Sequence, residues 1–514
     1  MTPKLTGERT GFSSWNIRMN TSFRALPTVP QSAAGDRVYM HRQGKALGGS
    51  SAINGAVYLR PDVREFQVYE ALGAKGWSWE SFLEYFKRSE TLVTEGDTFG
   101  LEPDLASHGT EGPIQVSFGH GVSSFFREYA MPTFKNLGQE VNADVSDGTP
   151  IGGAPMQLTL FDGTFNRSYA ANSYYLPNRE RENLVVLTES LVSKITWGED
   201  QDGLAVANGV EYTSANGTST ANGKNIIVSS GALNTPKVLE LSGIGDPLVL
   251  SGIGIELKVN NTGVGKNLQN QYGINVRYKL KDGAAEIGDE FQAPLMNLVP
   301  AQIVLSPEDL ARSAEILTEP TNDISQAQFD GLKKLIDDGV AQTEIMWGVV
   351  AGENGSVELQ LYITDLHTFS RGTSHASSSN PEDKVIVDPQ YFSAEHDWWY
   401  LAKAVMYSRN ITAAEPLKSI IDYEVLPGAN YTTTESIQQW LLPNFRTMSH
   451  FVGTASALPQ EAGGVVDPET LIVYGTSNVR VVDCSVVPLI PGIHTQSIAY
   501  AIAEKAADIL KNAA

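Results

Sequence analysis

Apolar residues in 77–92 (WSWESFLEYFKRSETL) fall at helical spacing, and Ser78 stands where an N-cap belongs, so a helix is predicted there. The stretch 498–511 sorts Ala, Ile and Leu onto one face and Glu, Lys and Asp onto the other, the pattern of an amphipathic closing helix. Residues 394–410, with Trp398, Trp399 and Tyr400, and the polar stretch 306–340 also read as helical. Strand-like runs occupy 183–197 (NLVVLTESLVSKITW), 209–212, 224–230 (KNIIVSS), 357–366, 385–387 and 479–483. Residues 231–245 turn from strand into helix, with Thr235-Pro236 in the first turn. Residues 1–40 read as irregular and 42–60 as Gly-rich and small, with no internal repeat anywhere. Strands mixed with helices predict an α/β or α+β architecture.

Composition narrows the class. The chain has 514 residues, enough for two or more layers around a large core. Its apolar fraction of 41% and charged fraction of 19% are those of a soluble globular protein. A net charge of −22 argues against a nucleic-acid partner, which calls for clustered Lys and Arg. The single cysteine, Cys484, lies in the apolar run VVDCSVVP without a basic neighbour, so it reads as a core residue rather than a nucleophile. No Cys/His spacing suited to a metal occurs. No window of about 18 apolar residues exists, so no membrane span is expected. The start, MTPKLTGERTGFSSW, lacks the apolar region of a signal peptide. Sequons at Asn20, Asn166, Asn216, Asn260, Asn354, Asn410 and Asn430 point the other way, to a secreted ancestry, and the compartment stays open.

Three segments carry candidate chemistry. Residues 43–60 (QGKALGGSSAINGAVYLR) contain Gly48, Gly49, Ser50 and Ser51, too small to build a core layer. Such a run lets backbone amides approach a ligand and cradle an anion, though GGSS alone equally makes an ordinary turn. Residues 229–247 (SSGALNTPKVLELSGIGDP) form a strand-to-helix turn. Residues 448–505 place His450 before Gly453 and Thr454, and His494 just ahead of the closing helix. Two histidines on different elements, each ahead of small residues, suit a pair of proton handlers converging on one site. The other histidines, His41, His108, His120, His367, His375 and His396, read as structural.

Taken together, these strings resemble the two signatures and the C-terminal block of the glucose-methanol-choline (GMC) oxidoreductases, and 264–269 (VGKNLQ) resembles a further segment of that family. The resemblance spans residues 36–514 and implies a Rossmann-like FAD-binding domain joined to a substrate domain built on an antiparallel sheet and helices. It divides the chain into 1–65, 181–274 and 446–514 on the cofactor side and 66–180 and 275–445 on the substrate side. It implies that FAD meets Gly48, Gly49, Ser50, Asn54, Gly55, Val192, Ser230, Gly231, Asp483, Cys484, Thr495 and Gln496. His450 matches the base that takes a hydroxyl proton while hydride leaves the carbinol carbon, and His494 matches its partner. The implied partners are a small-molecule alcohol and an electron acceptor, oxygen or another.

Two departures from the family pattern matter. Sugar-oxidising members carry R-x-N-x-H, whereas this chain has Arg446 and then Met448 before His450. A thioether cannot replace an amide's hydrogen bonds to a sugar hydroxyl, which favours an aryl or natural-product alcohol, unless Met448 only packs and another residue meets substrate. The family's opening GxGxxG does not occur in residues 1–40, where Gly7, Gly11 and Gly35 lie in other contexts. Three expectations follow from this: an incomplete chain, a paralogue doing FAD-free acid–base chemistry such as cyclisation or dehydration, or a non-enzymatic binding protein. A sheet short of strands is also expected to leave unpaired edges.

Overall fold

The computed structural model describes residues 23–94, 100–118, 125–161, 166–285, 295–321 and 323–513; Asn20 and His120 fall outside them. Its largest sheet has seven strands, all paired antiparallel. Across the sheet run Ile421–Leu426, Tyr272–Leu280, Val357–Asp365, Ala341–Ala351, Leu295–Pro300 and Gly152–Pro155, with Arg446–Thr447 joining the start of the second. Successive strand residues point to opposite faces, and directly opposed residues share one. One face carries Tyr272, Thr343 and Tyr278. It rests on the Glu395–Ala413 helix, where the Tyr400 and Ser408 hydroxyls lie 2.8 Å from those of Thr343 and Tyr278. The other face carries the rows Leu298–Glu344–Thr364 and Met296–Met346–Tyr362. Covered on both sides, the central strands are buried almost throughout.

The second region holds a parallel pair, Ile226–Val228 with Val479–Val481, and a three-stranded antiparallel sheet of Leu191–Trp197, Ala207–Ser214 and Gly217–Asn222. Among the described residues the parallel pair has no third strand, and Ile227 is left 43% exposed. The Gln496–Asn512 helix closes this region against the Trp79–Ser89 helix through Arg88–Asp508 at 2.6 Å and Lys505 over the Phe82 ring. Ser78 caps Trp79–Ser89 by accepting the Ser81 N–H at 3.2 Å, as its position in the sequence predicts. Phe66, Tyr69, Trp77, Phe82 and Phe86 pack edge to face or tilted beneath it, each fully buried and each contributing about 1.5–3 kcal/mol.

Two local expectations are corrected. The run 183–197 is a strand only from Leu191; residues 184–187 are apolar but exposed, Val185 by 77%, and among the described residues no neighbouring strand pairs with them. Of residues 1–40, read as irregular, 1–22 lie outside the described residues, and Phe23–Pro27 is a strand that pairs antiparallel with Met40–Gly44. Pro27 and Pro30 hide that hairpin in the sequence, since proline speaks against strands except at their edges.

Candidate active site

The Gly-rich segment sets one wall. Gly48 adopts φ +90°, and a Cβ there would sit 2.8 Å from the Tyr169 ring, so its smallness serves internal packing. Gly49 (φ +55°) and Gly55 are different: a Cβ at either would meet nothing within 4 Å. Ser50 is exposed and accepts the Gly44 N–H at 3.1 Å. Asn54 donates to Gln496 Oε1 at 2.8 Å and accepts from the Ala56 N–H and from the buried Arg167 guanidinium.

Hydrogen bonds draw the other cofactor candidates to the same place. Gln43 donates to the Ser230 carbonyl at 2.7 Å. The Asp483 carboxylate accepts from the Gly231 N–H (2.8 Å), the Thr235 hydroxyl (2.6 Å) and the Ser485 N–H (2.8 Å). Cys484 Sγ lies 3.9 Å from the Thr495 carbonyl, and burial, then Asp483, pushes its thiol up to about 12, which leaves it inert. Gln496 donates to the Val57 carbonyl at 2.8 Å. Thr495 makes no side-chain cap on the 17-residue Gln496–Asn512 helix, whose first residue, Gln496, is bonded into this cluster. Val192 stands apart, 39% exposed on the Leu191–Trp197 strand opposite Tyr212.

The two histidines meet where this wall joins the large sheet. Their rings lie 4.8 Å apart, inclined at 68°. His450 is gripped from two successive residues. Its backbone N–H donates to Asn270 Oδ1 at 2.8 Å, and its Nδ1 lies 2.7 Å from Gln271 Oε1. Burial, and then the charge of His494, holds the His450 pKa well below the ordinary histidine range, so the ring is neutral near pH 7. His494 Nε2 lies 3.1 and 3.2 Å from the two oxygens of Glu344, a carboxylate buried on the sheet face opposite the Glu395–Ala413 helix. Phe451, next to His450, packs on the His41 ring at 4.6 Å; burial lowers His41 to about 4 and gives it a structural part. His108, His375 and His396 are likewise held by internal partners, Glu90 and Asp144, Glu240, and Ser313 with Tyr400, while His367 is buried with Nε2 3.5 Å from Glu65.

Met448 is half-buried. It packs on an apolar cluster that includes Met156, Met296, Leu298, Met346, Tyr362 and Ile493, with its Sδ 4.0 Å from the Thr364 hydroxyl. Arg446 is exposed on the two-residue strand beside it. Sequence reasoning missed Glu344, Asn270 and Gln271. A single acid inside the apolar run AQTEIMWGVV was the one available signal for Glu344. Among the described residues no helix is long and apolar enough to cross a membrane.

The chain is similar to known proteins along most of its length. Family models described as GMC oxidoreductase match residues 22–273 and 368–503. The GMC oxidoreductase family protein Mala s 12 of Malassezia sympodialis is 32% identical over 532 aligned residues, 96% of this chain and 84% of its own length. The glucose oxidase-like protein fsoC of Humicola fuscoatra is 34% identical, over 95% of this chain and 86% of its own. Among solved structures, an FAD-dependent oxidoreductase from Chaetomium thermophilum superposes with a TM-score of 0.87 at 26% identity, covering 96% of this chain and 90% of its own.

Proposed function

The chain belongs to the GMC oxidoreductases, a family of FAD-dependent enzymes, and from that premise we propose that it oxidises a primary or secondary alcohol of low polarity to a carbonyl. The carrying observation is the pairing of a neutral, half-buried His450 with a carboxylate-bound His494 at 4.8 Å. The residues present suit the cofactor. Space beside Gly49 and Gly55 stands open to a ligand, and the uncapped Gln496–Asn512 helix favours an electron-rich group. Gly48, Gly49, Ser50, Asn54, Gly55, Ser230, Gly231, Asp483, Cys484, Thr495 and Gln496 would hold it. Bound FAD supplies the hydride acceptor.

The protein's own groups handle the proton and the orientation. His450, kept neutral by burial, takes the hydroxyl proton. His494 is held through Nε2 by Glu344, which fixes its ring 4.8 Å from that of His450, where the pair orients the alcohol oxygen. Two fixed rings hold that oxygen in one place, which removes much of the orientational cost of the reaction. Met448, half-buried against the core cluster of Met296, Leu298, Met346 and Ile493, supports an aryl or similarly apolar alcohol over a sugar. Sugar hydroxyls against these side chains would lose their hydrogen bonds.

The test begins with a visible spectrum of the chain after incubation with FAD and desalting. Retained flavin bands, and turnover of neutral benzylic alcohols above that of glucose, are expected. His450→Ala should keep the flavin and lose activity by about 100-fold or more. A folded but colourless protein would sink the redox reading, and undiminished turnover in His450→Ala would remove that residue from its role.

A further inference from the structure

A neutral imidazole carries one proton and can place it on either ring nitrogen, so a histidine base works only if the nitrogen facing the substrate is the bare one. Gln271 decides this for His450. The Gln271 side chain is 1% exposed and makes three polar contacts. Its Nε2 lies 3.0 Å from the Leu366 carbonyl and 2.8 Å from the Pro491 carbonyl. Both are backbone oxygens and can only accept, so the amide nitrogen must face them; the reversed amide would set three oxygens against one another. That leaves Oε1, itself only an acceptor, 2.7 Å from His450 Nδ1. The proton on a neutral His450 therefore sits on Nδ1.

We propose that Gln271 is a positioning residue that locks His450 in its Nδ1–H tautomer and leaves the Nε2 lone pair free for the substrate hydroxyl. The use made of that lone pair rests on the alcohol-oxidising reading; the tautomer does not. The anchoring is firm because the backbone is fixed too. The Met448 N–H donates to the Gln271 carbonyl at 3.0 Å, and Asn270 holds the His450 N–H from the preceding residue. The two histidines are thus oriented by different chemistry. A neutral amide holds His450, which must be free to accept a proton. A carboxylate holds the ring of His494.

Histidine ¹⁵N NMR of the full chain, with the His450 signals assigned by their loss in His450→Ala, reads the tautomer without cofactor or substrate. The wild type should show His450 with a protonated Nδ1 and a bare Nε2. Gln271→Met keeps the volume but removes the acceptor, and should abolish that preference. Gln271→Glu should retain a protonated Nδ1, because either the acid's carbonyl or the carboxylate still accepts there. In the flavin-loaded enzyme, Gln271→Met should lower kcat by about 100-fold or more with KM changed less than about threefold, as expected for a mis-set base. Gln271→Glu should recover at least part of kcat. A wild-type His450 bare at Nδ1, or a Gln271→Met variant with an unaltered tautomer, would overturn the proposal. The expected spectra together with no alcohol turnover in the wild type would uphold the tautomer lock and defeat the alcohol reading instead.

Discussion

At the scale of single residues, what distinguishes the site is how each histidine is held. His450 and His494 stand out in the sequence because small residues follow one and a helix follows the other. Their orienting partners do not, since Glu344 lies 150 residues from His494 and Gln271 lies 179 from His450. A buried carboxylate bonded to a ring nitrogen makes a charge-assisted contact, worth about 1.5–3 kcal/mol. Glu344→Gln keeps the shape and removes the charge. It should lower kcat by roughly 10- to 100-fold, and steady-state kinetics at saturating alcohol measures this. An unchanged kcat would show that His494 acts without its carboxylate.

At the scale of elements, the turn at Gly48–Gly49 separates two reasons for glycine. Gly48 is needed by the fold, because a side chain would collide with Tyr169 and the Ala171 backbone. Gly49 faces open space, so an added methyl threatens a ligand more than the protein. Gly48→Ala should therefore destabilise by about 1–3 kcal/mol, visible as a lower Tm. Gly49→Ala should cost about 1–2 kcal/mol for its positive φ, and it should bind flavin more weakly in equilibrium titration. Equal flavin affinity in Gly49→Ala would mean that the open space is not cofactor space. Periodicity made these neighbouring elements legible where a strand or helix buries one consistent face, as in Trp79–Ser89 and Gln496–Asn512. It misled at 184–187, where apolar residues find no partner strand among the described residues.

At the scale of the molecule, buried charges tie distant segments together. Arg60 pairs with Glu90 at 2.6 Å, and His108 bridges Glu90 (2.7 Å) and Asp144 (2.8 Å). Burial works against the His108 imidazolium, but hydrogen bonds and charge from Asp144 and Glu90 outweigh it and hold the pKa at about 9. Because the folded value exceeds the unfolded one of about 6.5, this stabilisation is complete below pH 6.5 and is lost as pH rises through 9. It is on the order of 3 kcal/mol. Thermal unfolding between pH 6 and 9.5 should show Tm falling on the alkaline side, with the fall much reduced in His108→Gln. A Tm as steep in that variant as in the wild type would place the dependence elsewhere.

The sequence by itself determined the fold class, the two histidines and the Gly-rich and strand-to-helix segments as candidates for the site. Those features are local: spacing along one element, or a short string whose neighbours in the chain are also its neighbours in space. Only the tertiary structure decided which acid meets His494, which amide sets the proton on His450, and that the methionines of separate strands share the sheet face beneath them. Strand register and packing bring those groups together from far along the chain, and no local pattern of polar and apolar residues encodes such long-range pairings.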